Sequence, residues 1–271
     1  MRLWQQFLTR NDCYRQHRPM RPKGVMVHST GANNPKIARY VPGDAVIGTN
    51  STGNHWDQGN EEWRSRFGTP LNKCVHAFIG QFADGEVGTV QTLPWEVEGW
   101  HAGGSANQSY LGFEICEDGL EDGNYFRKVY REAVELTAHL CDRFGLEPLE
   151  KDAVLCHAEG YARGIASNHG DVLHWFSKFG KTMDDFRNDV AKELERQQEE
   201  EEIDRAFARL RVRWQDNDQS DWSRKATAWA VEQGLFSGTP GPDGEPNYMW
   251  QDLVTREQLA VILYQLTQRM K

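Results

Sequence analysis

Cys156-His157-Ala158-Glu159-Gly160, followed by His169-Gly170-Asp171 and His174-Trp175, concentrates potential metal ligands just beyond a short apolar run. His28 is their distant complement: it ends a second apolar run, Val25-Met26-Val27, and precedes Ser29-Thr30-Gly31. Two strands could each deliver an imidazole from a C-terminal edge. Zinc sites that do chemistry take three protein ligands from His, Asp, Glu and Cys and leave a fourth position for water. His28, His157 and Asp171 would supply that set. An ion held by two imidazoles and a carboxylate lowers the pKa of bound water toward neutrality and polarises a carbonyl, so amide hydrolysis is within its reach. That reaction also needs a base for the water's proton and a donor for the tetrahedral oxyanion. Glu114, alone in the apolar segment Leu111-Gly112-Phe113-Glu114-Ile115-Cys116, is the candidate base, because a carboxylate between Phe and Ile is costly to bury without a partner. Simple alternation allows instead an outward-facing glutamate on an edge strand.

Taken singly, His28 or His157 would more often be a hydrogen-bonded structural histidine, and the pairing at two strand ends is what favours ligation. His76, in Cys74-Val75-His76-Ala77-Phe78, and His101, in Trp100-His101-Ala102-Gly103-Gly104, could be further ligands, supports behind the ligands or substrate contacts. Their spacing does not separate these roles. The cysteines, Cys13, Cys74, Cys116, Cys141 and Cys156, are an odd and scattered set that reads as reduced thiols. Cys156 fits a small buried hydrophobe better than a ligand.

The elements that must position these groups are short strands around one helix. Val25–His28, Val75–Gly80, Val87–Thr92, Gly112–Cys116 and Ala153–His157 read as strands. Apolar residues from Phe126 to Phe144 follow helical spacing, and Gly145 is placed to end that helix. This predicts an α/β fold, a mixed central β-sheet flanked by helices, plus a small helical C-terminal module. The polar segment from Asn33 to Asn72 reads as a long loop excursion, in which Trp56, within His55-Trp56-Asp57, could contact a ligand or serve as a local packing anchor.

At 271 residues the chain has room for two units. Residues 1–189 read as the catalytic domain, 190–213 as a charged, solvated helical linker and 214–271 as a terminal module. The four glutamates Glu199–Glu202 are too flexible to make a selective cation site. In the module, Trp222, Ala226, Trp229 and Ala230 share one helix side, Ser237–Pro246 is a joining stretch, and Thr255-Arg256-Glu257-Gln258 spells a capping box ahead of an apolar stripe of Leu259, Ile262, Leu263 and Leu266. A net charge of -9 argues against nucleic acid as a partner. No apolar run is long enough to insert in a membrane, and the first residues lack the apolar core of a signal peptide, so the chain is expected to be soluble and not exported by that route.

The order His28-Ser29-Thr30, Val75-His76-Ala77-Phe78-Ile79-Gly80, Trp100-His101-Ala102-Gly103, Gly112-Phe113-Glu114-Ile115 and Cys156-His157 resembles the zinc-dependent N-acetylmuramoyl-L-alanine amidases of the phage lysozyme and peptidoglycan-recognition-protein family, over roughly Lys23 to Asp189. The resemblance implies a Zn2+ enzyme that cuts bacterial peptidoglycan between the lactyl group of N-acetylmuramic acid and L-alanine. It implies His28, His157 and Asp171 as ligands and Glu114 as base; of the roles open to His76 and His101, substrate binding is the one expected. Where the family commonly has an oxyanion-stabilising Lys, this chain has His169, which can donate the same hydrogen bond but also competes with Asp171 as third ligand. The tyrosine that some members carry before the His76 position is Val75 here, which favours Glu114 as base. Residues Trp222-Ser223-Arg224-Lys225-Ala226, Gly234-Leu235-Phe236-Ser237-Gly238 and Val254-Thr255-Arg256-Glu257-Gln258-Leu259-Ala260 resemble a single S-layer homology repeat, which implies binding of cell-wall polysaccharide. One copy makes self-association as a homo-oligomer attractive, because multivalency restores avidity. An endolysin held in the cytoplasm until lysis and then acting on the wall fits these features. The alternatives are a non-catalytic peptidoglycan-binding protein and a host autolysin of the same chemistry.

Overall fold

The apolar runs become the inner strands of one mixed sheet. The computed structural model describes residues 1–213, 217, 219–241, 244–250 and 254–269. In chain order, β1 (Leu3–Gln5), α1 (Asp12–Gln16) and β2 (Gly24–Ser29) precede a small hairpin of β3 (Gly43–Asp44) and β4 (Gly48–Thr49). Then come α2 (Asn60–Phe67), β5 (Ala77–Gln81), β6 (Val87–Gln91), β7 (Tyr110–Ile115), the long α3 (Gly123–Phe144), β8 (Val154–Cys156), α4 (His157–Ala162), α5 (Leu173–Phe176) and α6 (Met183–Arg213). The chain ends with α7 (Arg224–Glu232), a two-stranded pair β9 (Thr239–Pro240) and β10 (Pro246–Asn247), and α8 (Arg256–Arg269).

The main sheet runs β1-β6-β5-β7-β2-β8. Only β5 and β6 pair antiparallel; β1 with β6, β5 with β7, β7 with β2 and β2 with β8 are parallel. All six residues of β2 are buried, as expected for a central parallel strand covered on both faces. The period of two then sorts the side chains. Val25, Val27, Ala77, Ile79, Leu111, Phe113, Ile115, Val154 and Cys156 share a core with the apolar stripe of α3. The intervening residues Met26, His28, Phe78, Gly112 and Glu114 therefore belong to the opposite face. Asp122 caps α3 by accepting from the amides of Asn124 and Tyr125, and Gly145 closes it in the left-handed region at φ 63°, so the helix is longer by a turn than its apolar spacing predicts.

The chain divides into two compact units, Met1–Gln198 and Glu199–Lys271. In the first unit, Met183, Phe186, Val190 and Leu194 are buried in the α3-side core at helical spacing, and Gln198 donates to Asp142. The solvated part of α6 thus starts beyond Leu194 and not at residue 190, because these apolar side chains stand one helical turn apart among charges. In the second unit, the Thr255 and Gln258 side chains bond each other's backbone amides at 3.1 and 2.9 Å, the reciprocal pattern of a capping box. Leu259 and Leu263 nevertheless stay about half exposed: the predicted stripe forms on the helix, but the described residues of this small unit do not cover it. Trp214 and Lys271, the ends expected for the terminal module, lie outside the described residues. Among the described residues no helix is long and apolar enough to cross a membrane.

Candidate active site

Sheet register brings the chemistry together. His28 of β2 pairs with Glu114 of β7, and Glu114 in turn with Phe78 of β5. Cys156 of β8 pairs with Val27, so His157 follows at the level of His28 and opens α4. His28, Glu114 and His157 consequently line one cavity of about 390 Å³, together with His101, Ser167, His169 and Asp171 and, farther out, Tyr40, Trp56, Lys73 and Trp100. The cysteine one residue earlier points the other way: Cys156 is buried in the α3-side core, and burial pushes its thiol up to about 11.

The tautomers follow from the neighbours. His101 Nε2 stands 3.0 Å from the Tyr110 carbonyl, which can only accept, so that nitrogen carries the proton. Burial holds His101 well below the usual histidine range and hence neutral, so its Nδ1 accepts from His28 Nε2 at 2.9 Å. Burial likewise lowers the pKa of His28, and its Nδ1 is left as a bare lone pair. On the other side, Ser167 Oγ donates to the Ala102 carbonyl at 3.1 Å and accepts from His157 Nε2 at 3.2 Å, so the tautomer with its proton on Nε2 leaves His157 Nδ1 bare as well. Asp171 brings a carboxylate to the same point: burial pulls its pKa upward, imidazoles that donate to it hold it well below the usual carboxylate range, and a cation shared with bare Nδ1 atoms would keep it an anion in their stead.

Two bare nitrogens and an anionic carboxylate therefore meet at one point. His28 Nδ1 lies 3.1 Å from His157 Nδ1 and 3.1 Å from Asp171 Oδ2, and His157 Nδ1 lies 3.6 Å from Asp171 Oδ1. Ligand atoms sharing a tetrahedral zinc ion with bonds of about 2.1 Å stand about 3.4 Å apart. These three residues are the group among the described residues that could hold such an ion in this cavity, and the supports behind them fix the orientation that ligation needs. His169 lies outside the trio: it is exposed, with Nδ1 3.1 Å from Ser167 Oγ and its ring 4.7 Å from that of His157.

Glu114 faces the cavity with Oε2 shielded from solvent and without a partner. Burial first, then the charge of Asp171, raises its pKa well above the usual carboxylate range, and Lys73 partly offsets this. The outward-facing alternative is thereby removed. His76 needs correction as a substrate contact. It is fully buried, its Nδ1 accepts from the Gly112 amide at 3.0 Å and its Nε2 donates to the Val97 carbonyl at 2.8 Å. Both nitrogens are consumed by backbone, and burial pushes its pKa down to about 4. His101 borders the cavity, but its two nitrogens are also engaged, so it acts as the support behind His28. Trp56 plays both parts considered for it: it lines the cavity and packs edge-on against Phe78 and Tyr40.

Gly112 makes the support possible. A Cβ on it would stand 2.3 Å from His101 Cγ, so the imidazole lies directly on the backbone of β7. Arg187 of α6 grips both oxygens of Glu159 at 3.0 and 3.1 Å, and Glu159 accepts from the Cys156 amide. That fork holds the start of α4 and with it His157. Ser167, Tyr40 and Arg187 carried no signal in the sequence, because each belongs to a segment without apolar periodicity at its own position or lies far along the chain from the ligands.

The family model for N-acetylmuramoyl-L-alanine amidase (Amidase_2) matches residues 18–172, more than half of the chain. Among solved structures the chain is similar to the Staphylococcus aureus hydrolase AmiA in complex with its ligand, at 16% identity and TM-score 0.49, covering 72% of this chain and 83% of that one. It is similar to PlyL at 16% identity and TM-score 0.46, over 70% of this chain and 97% of that one. It is also similar to a mutant endolysin from Bacillus subtilis at 20% identity and TM-score 0.43, over 70% and 99%. No curated protein sequence matches the chain.

Proposed function

The chain belongs to the N-acetylmuramoyl-L-alanine amidase family and is a peptidoglycan hydrolase of the amidase type, and on that premise we propose that it works with a zinc ion held by His28, His157 and Asp171. The observation that carries this reading is the meeting of two bare Nδ1 atoms and a carboxylate in the cavity that Glu114 also faces. When bound, such an ion supplies Lewis acidity toward water and toward the carbonyl oxygen of the scissile amide.

The chain's own groups do the rest. Glu114 takes a proton from the attacking water and returns it to the leaving amine of L-alanine; its raised pKa suits a carboxyl that must both accept and give. His169, held through Nδ1 by Ser167, borders the cavity beside the ligands and is the group placed to give a hydrogen bond to the oxyanion. His101 and Ser167 hold the two imidazoles in the ligating tautomer.

Purified protein incubated with cell walls should release stem peptides with a free L-alanine amine and carry close to one zinc per chain. Walls that bind the protein but show no new amines would make it a binding protein instead. The terminal unit we assign to wall polysaccharide, on the support of Trp222, 89% exposed, and Trp229, 49% exposed, since indole faces suit sugar rings. Trp222→Ala with Trp229→Ala in the full chain should lower sedimentation with walls; unchanged sedimentation would refute that assignment.

A further inference from the structure

The Tyr40 hydroxyl is a buried polar group with no hydrogen-bond partner. Tyr40 is 5% exposed and its ring is locked, stacked on Phe78 at 4.8 Å and 10° and met edge-on by Trp56 at 5.7 Å. Its backbone is held as well, because its carbonyl accepts from the Trp56 amide at 2.8 Å. An orphaned hydroxyl in a protein interior is costly and calls for an explanation. This one borders the same cavity as Glu114 and the ligand trio.

Register locates it. Across the sheet the row runs Phe78, Glu114, His28, so a ring stacked on Phe78 flanks Glu114 on the side away from the ligands. The hydroxyl is poised to donate: burial raises its pKa, which keeps it protonated, while Thr30 lies beside its oxygen. Thr30, whose Oγ1 accepts from the Glu117 amide at 3.1 Å, makes no hydrogen bond to the phenol, so the tyrosine's own proton is unused.

We propose that Tyr40 is a substrate-binding residue whose hydroxyl donates a hydrogen bond to an amide carbonyl oxygen of the muramoyl peptide, on the β5 side of the scissile bond. This rests on the amidase reading. A muramoyl peptide offers such oxygens from two sources, the N-acetyl group of the sugar and the carbonyls of the stem beyond L-alanine, and both present the acceptor that a fixed phenol requires.

The test is Tyr40→Phe in the full chain, which keeps the ring and its packing. Three soluble substrates are compared: the full muramoyl peptide, the same molecule with its N-acetyl group removed, and one with the stem cut back to L-alanine. On the full substrate kcat/KM should fall about tenfold or more, with a melting temperature unchanged or higher. On the substrate lacking the true acceptor, variant and parent should perform alike, which names the source. Calorimetric binding of the full substrate reads the same contact without turnover, so a parent protein that binds but does not cleave would strike the amidase reading while still testing Tyr40. The proposal is overturned by equal binding and kcat/KM for variant and parent on the full substrate. It is overturned equally by the same loss on all three substrates, or by a fall of several degrees in melting temperature alongside the loss.

Discussion

Gly112→Ala should weaken metal binding while leaving all three ligands in place. The new Cβ would stand 2.3 Å from Cγ and 2.4 Å from Nδ1 of His101, where ordinary contact begins at 3.4 Å. The ring must therefore retreat by about 1 Å, since neighbouring backbone yields little in a packed interior. Such a shift takes the 2.9 Å bond between His28 Nε2 and His101 Nδ1 out of hydrogen-bond range. Loss of a support of this kind lowers metal affinity by about 10–100-fold, and the crowding itself destabilises by about 1–3 kcal/mol. Competition with a chelating dye measures the first quantity and thermal melting the second. His101→Ala supplies an internal check: with the ring already gone, adding Gly112→Ala should have little further effect on zinc affinity, the non-additivity of two changes acting through one contact. A Gly112→Ala protein that holds zinc as tightly as its parent would refute the reasoning.

Three further outcomes are expected. Glu114→Gln should lower kcat by about 10²–10⁴-fold with zinc retained. Because the parent's raised Glu114 pKa makes ionisation a penalty that grows as pH rises, the metal-free variant should melt at least as high as its parent at pH 8, and a lower melting temperature would contradict this. The metal-free protein should lose stability on acidification between about pH 6.5 and 4, because His76, depressed to about 4 by burial, stays neutral in the fold while the unfolded chain takes up the proton; the contribution reaches about 3 kcal/mol at the acid end. Urea titrations across that range should show the slope, and His76→Gln should reduce it, leaving the share that His28 and His101, also lowered by burial, contribute with the same sign. Arg187→Met should destabilise by about 1.5–3 kcal/mol through loss of its fork on Glu159 and raise hydrogen exchange at the start of α4; unchanged exchange there would separate Arg187 from His157.

The inner strands were legible because continuous apolar runs bounded by polar residues admit few alternatives, and their ends are where His28 and His157 stand. Glu114 was legible as a lone carboxylate in such a run. His76 misled because a histidine inside a strand carries no mark of what its nitrogens meet; only the approach of the Gly112 amide and the Val97 carbonyl decides it. The edge strand β1 escaped notice, being three exposed residues without alternation. So did α2, whose eight residues bury no side chain and hence have no apolar face to read. Tyr40 lies in a stretch that reads as loop, and its place in the cavity depends on a ring stack with Phe78, a partner 38 positions away in sequence. In α6, a few apolar residues among many charges were outweighed in composition yet suffice for burial.

One strand, β7, offers its Tyr110 carbonyl to the imidazole chain that ends at His28 and carries Glu114 four residues later. Basicity at one end of the centre and ligand orientation at the other are thus anchored to a single rigid rail. Any attempt to transplant this chemistry onto another scaffold has to move that rail whole, since grafting the loops that bear His157 and Asp171 would transfer a grip without its alignment.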